Sequence, residues 1–211
     1  MEALKHLKDA ILNGEYKKSG ALTQEALDGG ADAETILNDG LIAAMDKVGS
    51  LFKEGEIYVP EVLLAAKAMQ AGMEVLKPRL TESGVQSRGR VVVGTVRGDL
   101  HDIGKNLVAM MLEGAGFEII DLGNDVPAEE FVEAAEKHNA QVIGMSALLT
   151  TTMGVMKETV ELLKQKKLNG KVKTMVGGAP VTASFADEIG ADGYGDDAAA
   201  AVDIAKKFLN A

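Results

Sequence analysis

The chain has no cysteine and no tryptophan, and its aromatic rings are limited to five phenylalanines and three tyrosines, apart from three histidines. Without cysteine it can form neither disulfide bonds nor metal sites with thiolate ligands, which fits a reducing, cytoplasmic location. The shortage of aromatic residues predicts a core of aliphatic side chains and alanine. A chain of 211 residues that is 46% hydrophobic can supply such a core.

Positive charge is also scarce, since the chain has 22 Lys and Arg residues against 32 Asp and Glu residues and therefore a net charge of −10. This balance argues against a nucleic-acid partner, because binding to phosphates needs clustered Lys and Arg. The N-terminus lacks the apolar stretch of a signal peptide, and no segment reaches the ~18 apolar residues of a membrane span. We therefore expect a cytoplasmic protein that binds neither nucleic acid nor membrane.

The first part of the chain has helical periodicity. Residues 1–80 contain apolar positions at spacings of three and four, with breaks near Gly29 and Gly30 and a restart at Pro60. Four helices of these lengths predict a small all-α bundle domain. The polar segment "TESGVQSRGR", residues 81–90, is interpreted as a linker that lets two domains move apart.

From residue 91 to 211 short β-branched runs alternate five times with helical stretches. The predicted strands are 91–96, 117–122, 141–148, 172–176 and 193–195; the predicted helices are 105–113, 128–138, 153–168, 182–189 and 196–209. This alternation predicts an α/β domain with a five-stranded parallel sheet in the flavodoxin-like (Rossmann-like) order. In that order a ligand binds beyond the carboxyl ends of the strands.

Three loops at this predicted edge have unusual residues. "GDLHDIG" follows the first strand, and its Asp99 can hold one ring nitrogen of His101 so that the other becomes a metal ligand. "MSALLTTTM" follows the third strand and is rich in hydroxyls, and "VGGAPV" follows the fourth. Each loop alone also has an ordinary interpretation, as a charged loop, a helix cap or a turn.

The spacing of the three loops is more specific than any one of them. Asp99-x-His101-x-x-Gly104 is followed after 41 residues by Ser146-x-Leu148, and after 28 more by Gly177-Gly178. This resembles the D-x-H-x-x-G, S-x-L, G-G fingerprint of cobalamin-binding domains that bind the cofactor with its own base displaced. The segments 45–69, "DLGNDVPAEEF" and "GADGYGDDAAAAV" are similar to the helical cap and later stretches of methionine synthase and of corrinoid proteins of methyltransferase systems.

The resemblance assigns a role to each motif residue. His101 would replace the cofactor's dimethylbenzimidazole as axial ligand to cobalt, Asp99 would hydrogen-bond its other nitrogen, and Thr152 would extend this relay where methionine synthase has serine. Residues expected under the corrin are Gly98, Leu100, Asp102, Ile103 and Gly104. Residues expected along the displaced nucleotide tail are Ser146, Leu148, Thr150, Gly177, Gly178 and Ala198. Tyr58 and Val59 would cover the upper face, although the cap of methionine synthase presents a phenyl ring where this chain has Tyr58.

The family also implies the chemistry and the partners. Cob(I)alamin would take a methyl group from a donor to give methylcob(III)alamin, with cob(II)alamin as the inactive oxidised form that a reductive activation protein restores. A donor-specific methyltransferase would supply the methyl group from methanol, a methylamine, betaine or a methoxylated aromatic, the last being slightly favoured. A second methyltransferase would deliver it to tetrahydrofolate or coenzyme M. The chain would then be a carrier that is not catalytic alone, since one methyltransferase barrel needs about 250 residues.

Three alternatives share parts of this pattern. A cobalamin-sensing regulator has the same two-domain core, but adds a DNA-binding domain and places a tryptophan near the cofactor. The cobalamin subunit of an adenosylcobalamin mutase lacks the helical cap. A flavodoxin-like module without a metal is the last alternative, and it requires that the protein bind no corrinoid.

Overall fold

The computed structural model describes residues 2–210, which form two compact units. One consists of residues 2–86 and 114–116, and the other of residues 87–113 and 117–210. The first unit is all-helical, and the second is organised around a parallel sheet. Residues 1 and 211, which begin and end the two predicted domains, lie outside the described residues, and the domain boundaries stay a prediction.

The helical unit has four helical rods, as predicted. The elements are α1 (Glu2–Leu12), α2 (Tyr16–Asp28), α3 (Ala33–Thr35), a π-helical segment (Ile36–Ile42), α4 (Ala43–Lys53) and α5 (Val59–Ser83). The third rod joins α3, the π-helical segment and α4 without a break. The core of the helical unit is aliphatic, with buried Leu7, Ile11, Ile36, Leu41 and Leu76. Pro60 lies in the first turn of α5, where its missing N–H costs no hydrogen bond.

Two details of the helical unit differ from the sequence prediction. The helical spacing of apolar residues between the break at Gly30 and the restart at Pro60, which covers residues 32–53, predicts one regular α-helix, whereas seven of these residues adopt the wider π-helical turn. Helix α5 extends through Ser83 and ends where Gly84 adopts a left-handed φ of 70°. Only residues 84–89 of the predicted linker are therefore without regular structure, because Arg90 already belongs to the first strand.

The second unit contains the predicted five-stranded parallel sheet. Its strands are β1 (Arg90–Thr95), β2 (Glu118–Asp121), β3 (Val142–Ser146), β4 (Lys173–Gly177) and β5 (Gly193–Gly195), in the spatial order β2-β1-β3-β4-β5. This is the flavodoxin-like order, so the predicted fold class is confirmed. The register aligns the ends of the central strands, with Thr95 beside Ser146 and Ser146 beside Gly177.

Helices connect these strands and cover an aliphatic core. They are α6 (Ile103–Gly114), α7 (Ala128–His138), α8 (Gly154–Gln165), α9 (Ala183–Ile189) and α10 (Ala198–Leu209). The central strands are buried along their length, which is why their sequences read as continuous rather than alternating apolar runs. Phe131 of α7 and Met156 and Leu163 of α8 pack into this core. Between residues 2 and 210, no helix combines the length and apolarity needed to cross a membrane.

Candidate functional site

The strand order creates a switch point between β1 and β3. In a sheet of order 2-1-3-4-5 the connections from these two neighbours diverge, and they leave a crevice beyond their carboxyl ends. The loop with His101 follows β1, and the loop that begins after Ser146 follows β3. The fold therefore brings the first two sequence motifs to the position where this architecture binds ligands.

His101 is held by hydrogen bonds along its backbone and at its ring. Its Nδ1 lies 2.7 Å from Oδ1 of Asp99, and its backbone N–H donates to the same oxygen at 3.1 Å. The buried Thr95 hydroxyl donates to the His101 carbonyl at 3.0 Å. The imidazole is nevertheless 53% exposed. The ring is thus fixed on one side and open on the other.

Asp99 is fully buried and organises both loops. Its Oδ2 accepts the backbone N–H groups of Leu148 and Leu149, at 2.7 and 3.1 Å, and the Thr152 hydroxyl at 3.1 Å. Burial raises the pKa of Asp99, but the hydrogen bonds from Leu148, from His101 and from Leu149 together outweigh burial and hold this pKa well below its usual range. Asp99 is therefore a carboxylate at neutral pH.

The ionised carboxylate determines the tautomer of His101. A carboxylate can only accept hydrogen bonds, so the hydrogen between the two groups belongs to Nδ1 of the ring. In the neutral imidazole the lone pair is then on Nε2, which has no hydrogen-bond partner among residues 2–210. This nitrogen is available as a ligand.

Thr152, predicted as the third member of the relay, does reach Asp99. Its hydroxyl lies 3.1 Å from Oδ2 of Asp99 and 2.8 Å from the Leu149 carbonyl, and its single hydrogen can serve only one of them at a time. Its additional methyl group, absent from serine, lies against Gly98, where a Cβ would be 3.3 Å away. The methyl group thus packs on the turn that precedes Asp99.

The surroundings of His101 suit a large, flat, partly apolar group. The exposed large hydrophobic side chains among residues 87–113 and 117–210 lie in these two loops and at the first residue of α6: Leu100, Leu148, Leu149 and Ile103. No group of three or more metal-ligating side chains occurs within residues 2–210. A single imidazole can still complete the coordination of a metal that a macrocycle already holds.

The remaining predicted tail residues are placed in different surroundings. Ser146 is half-buried at the end of β3, and Thr150 is exposed in the following loop. Gly177 ends β4 and Gly178 follows it, but the space that a side chain would fill at each is occupied by the chain itself, namely the carbonyls of Gly195 and Ala147 respectively. Whether these glycines also make room for a nucleotide tail stays a prediction.

Three further predicted residues lie away from these loops, two in the helical unit and one in the sheet unit. Tyr58 precedes α5 and is 68% exposed, with its N–H bonded to the Glu61 carboxylate at 3.1 Å, and Val59 beside it is 37% exposed. In the sheet unit, Ala198 at the start of α10 is only 5% exposed and presents little surface to a ligand. The contacts predicted for these three residues stay predictions.

Comparison with known proteins decides the family. Family models described as "B12 binding domain" match residues 89–203 and residues 3–77. A corrinoid protein of Desulfitobacterium hafniense (strain Y51) is 44% identical over 99% of this chain and 98% of its own length. The chain belongs to the B12-binding corrinoid protein family.

Other members of the corrinoid protein family agree with this result. Dimethylamine corrinoid protein 1 of Methanosarcina acetivorans is 47% identical over 96% of this chain and 91% of its own length. A structure of the methanol:cobalamin methyltransferase complex of Methanosarcina barkeri contains a chain with a TM-score of 0.88 and 35% identity, covering 99% of this chain and 80% of that one. The predicted family and its corrinoid cofactor are confirmed.

Several interactions in this corrinoid protein, at the site or just after the histidine loop, were not predicted from sequence. Thr95 fixes the His101 carbonyl, and the Leu149 N–H binds Asp99. The buried ammonium group of Lys105 at the start of α6 contacts both oxygens of Asp121 at the end of β2, at 2.7 and 2.6 Å. A lysine four residues after the histidine, with an aspartate ending the next strand, was the signal available for this pair.

The stability of the cofactor-free protein is expected to depend on Asp99 in acid. Because its folded-state pKa lies below the ordinary value of 3.8, the ionised form stabilises the fold fully above that pH, and the contribution is lost progressively as the pH falls below it. Urea unfolding at a series of pH values should show a steeper loss below pH 3.8 in the wild type than in Asp99→Asn.

Asp32→Asn is the matched control. The pKa of Asp32 is also lowered, by its side-chain and backbone hydrogen bonds with Thr35, but this carboxylate is exposed at a helix N-terminus. Its removal should flatten the acid limb less than removal of Asp99. Equal acid limbs for wild type and Asp99→Asn would show that the Asp99 network does not persist in solution.

Proposed function

We propose that this chain is a methyl carrier that holds a corrinoid with its own base displaced and with His101 as the axial ligand of cobalt. The observation that carries the proposal is the 2.7 Å contact between Nδ1 of His101 and the buried Asp99 carboxylate, on a ring that is 53% exposed and follows β1 at the switch point of the sheet. Leu100 and Ile103, close to His101 in the sequence, expose apolar side chains.

The side chains contribute position and proton control. Corrinoid cobalt, once bound, supplies a site that takes up and releases a methyl group. Asp99 keeps the hydrogen on Nδ1 and orients the ring, which raises the basicity of Nε2 as a ligand. Because its hydrogen bonds hold the pKa of Asp99 low, this group stays a carboxylate and continues to accept the hydrogen of Nδ1.

We assign the other predicted residues supporting roles. Ser146 and Thr150 offer hydroxyls along the path after β3, where the displaced tail would run. Leu148 has two functions in this arrangement, since its backbone fixes Asp99 while its side chain stays exposed. Tyr58 and Val59 are exposed residues at the start of α5 and would shield the methyl group from water.

The names of the relatives support part of the proposed set of partners. One relative is named for dimethylamine, and the similar structure is part of a methanol:cobalamin methyltransferase complex. These names support a separate donor methyltransferase as the first partner, with a methylamine or methanol as donor; the preference for a methoxylated aromatic stays a prediction. A second methyltransferase acting on tetrahydrofolate or coenzyme M, and a reductive activation protein, complete the proposed system.

Axial ligation is tested by electron paramagnetic resonance of the protein reconstituted with cob(II)alamin that has nitrogen-15 in its benzimidazole. The wild type should show splitting from nitrogen-14 of His101, and His101→Ala should lose it. The same samples, first reduced to cob(I)alamin by a chemical reductant and then mixed with methylamine- or methanol-specific methyltransferase and isotopically labelled donor, should retain label on the wild type and at least tenfold less on the variant, since an axial ligand tunes the bound cobalt.

His138→Ala is the matched control, because this histidine ends α7 and contributes only its backbone carbonyl to a hydrogen bond with Arg90. It should behave as the wild type in both measurements. Nitrogen-15 splitting in the wild type would refute His101 ligation. Tight binding of adenosylcobalamin with no acceptance of labelled methyl would instead favour a regulator or a mutase subunit.

A further inference from the structure

Asp125 has an unusual backbone conformation. Four non-glycine residues between 2 and 210 have positive φ: Asp125, Asn139, Lys167 and Asn210. Asn139 and Asn210 cap the ends of helices α7 and α10, and Lys167 follows the C-cap residue of α8, so a left-handed conformation is ordinary at these three. Asp125, with φ of 58°, ends no helix and lies between β2 and α7. Its conformation requires another explanation.

The contacts of Asp125 supply that explanation. Its Oδ1 accepts the Gly98 N–H at 2.7 Å, and its own N–H donates to the Asp99 carbonyl at 3.1 Å. Gly98 is itself left-handed, with φ of 83°, and the turn is closed by the Asp99 N–H bonded to the Val96 carbonyl at 3.1 Å. Asp125 therefore hydrogen-bonds to both Gly98 and Asp99, the two residues whose turn directs the Asp99 side chain into the protein.

We infer that Asp125 is a positioning residue for the His101 ligand, acting through Asp99. This inference rests on the proposed function, since it concerns how the axial histidine is held. The left-handed backbone of Asp125 is what allows its side chain and its N–H to bind the same turn. The turn sets the place of the Asp99 carboxylate, which in turn binds Nδ1 of His101 and the loop after β3.

The loop between β2 and α7 is held in place by backbone hydrogen bonds as well as by the Asp125 side chain. The loop is also attached to β1 by backbone bonds, among them Arg97 N–H to the Val126 carbonyl at 2.7 Å and Val126 N–H to the Thr95 carbonyl at 3.0 Å. These bonds do not involve the Asp125 carboxylate. Replacing that side chain should therefore loosen the turn without detaching the loop.

Two substitutions isolate the accepting oxygen. Asp125→Gly keeps the left-handed backbone accessible but removes the acceptor of the Gly98 N–H. Asp125→Asn keeps both, because asparagine tolerates this conformation and has a carbonyl oxygen in the same place. Asn139→Gly at the end of α7 controls for the added flexibility of glycine at a left-handed position far from His101 in sequence.

Amide hydrogen exchange of the cofactor-free protein measures the turn directly. In Asp125→Gly, exchange of the Leu148 and Leu149 amides, which donate to Asp99, should be about tenfold faster, while amides within β3 are unchanged. After reconstitution, the same variant should bind cob(II)alamin about tenfold more weakly and show a smaller fraction with nitrogen-14 splitting. Asp125→Asn and Asn139→Gly should stay within about twofold of the wild type on both readouts.

Unchanged amide exchange and ligation in Asp125→Gly would overturn the inference. The inference would also be overturned if Asp125→Asn showed the same faster amide exchange and weaker cob(II)alamin binding as Asp125→Gly. The accepting oxygen would then not explain these changes. If the wild type keeps the cofactor's own base, the proposed axial role of His101 fails, and the measurement of nitrogen-14 splitting no longer reports on Asp125. The amide exchange measurement would still decide whether Asp125 positions Asp99.

Discussion

Replacing Gly178 by alanine is expected to lower the free energy of unfolding by about 4 kcal/mol, with no cofactor present. An added Cβ would lie 1.9 Å from the Ala147 carbonyl oxygen and 2.9 Å from its carbon, and both belong to backbone that cannot rotate away. The φ of 118° at Gly178 adds strain for any residue with a side chain. Urea unfolding of the cofactor-free protein measures the loss.

Gly154→Ala is the control for this substitution. Gly154 begins helix α8, and a Cβ there would meet nothing within 4 Å, so alanine should leave stability unchanged or raise it by up to about 1 kcal/mol. A Gly178→Ala protein as stable as the wild type would show that the loops after β3 and β4 separate easily. Room for the cofactor, and not the close approach of the backbone, would then be the reason for a glycine at position 178.

Asp121→Ala is expected to destabilise the protein by about 3 kcal/mol, because it leaves the ammonium group of Lys105 without a counterion. The Lys105 side chain is only 5% exposed and contacts both oxygens of Asp121, whereas Asp121 itself is 41% exposed. Water can reach the aspartate position but much less of the lysine, which places the cost at the lower end for a broken buried pair. Urea unfolding followed by circular dichroism measures it.

The matched variants complete a double-mutant cycle. Lys105→Met keeps most of the buried volume and removes the charge, so it should cost about 1 kcal/mol, since the exposed carboxylate returns to water. The double variant Lys105→Met with Asp121→Ala should be more stable than Asp121→Ala alone by about 2 kcal/mol. Additive effects of the two single variants would refute the coupling. The pair joins the first turn of α6, directly after the histidine loop, to the end of β2.

Local patterns in the sequence were sufficient for much of the fold. Helix α7 spans Ala128–His138 as predicted, and each predicted strand overlaps an observed one. Such predictions succeed because periodic apolar spacing and β-branched runs report on burial of the same segment that contains them. The π-helical segment within residues 32–53 was missed, since a single widened turn leaves the apolar stripe almost unchanged.

Site residues were predictable where a short motif contains all the partners. Asp99 and His101 are two residues apart, so their pairing could be anticipated from the loop alone, and the 2.7 Å contact is consistent with it. The backbone donors of Leu148 and Leu149 were not predictable, because any residue type offers an N–H and composition contains no signal for its direction.

The sequence by itself determined the class of the sheet, the helical first unit and the corrinoid family, because each depends on residue types at fixed spacing. Only the tertiary structure decided which groups meet across long separations: Asp125 with Gly98, Lys105 with Asp121, and the Ala147 carbonyl with the space beside Gly178. These contacts depend on strand order and register, which bring together residues 16 positions apart in the sequence, as for Lys105 and Asp121, or 27 positions apart, as for Gly98 and Asp125. Hydrogen-bond direction and close backbone approach are properties of that arrangement and of no segment alone.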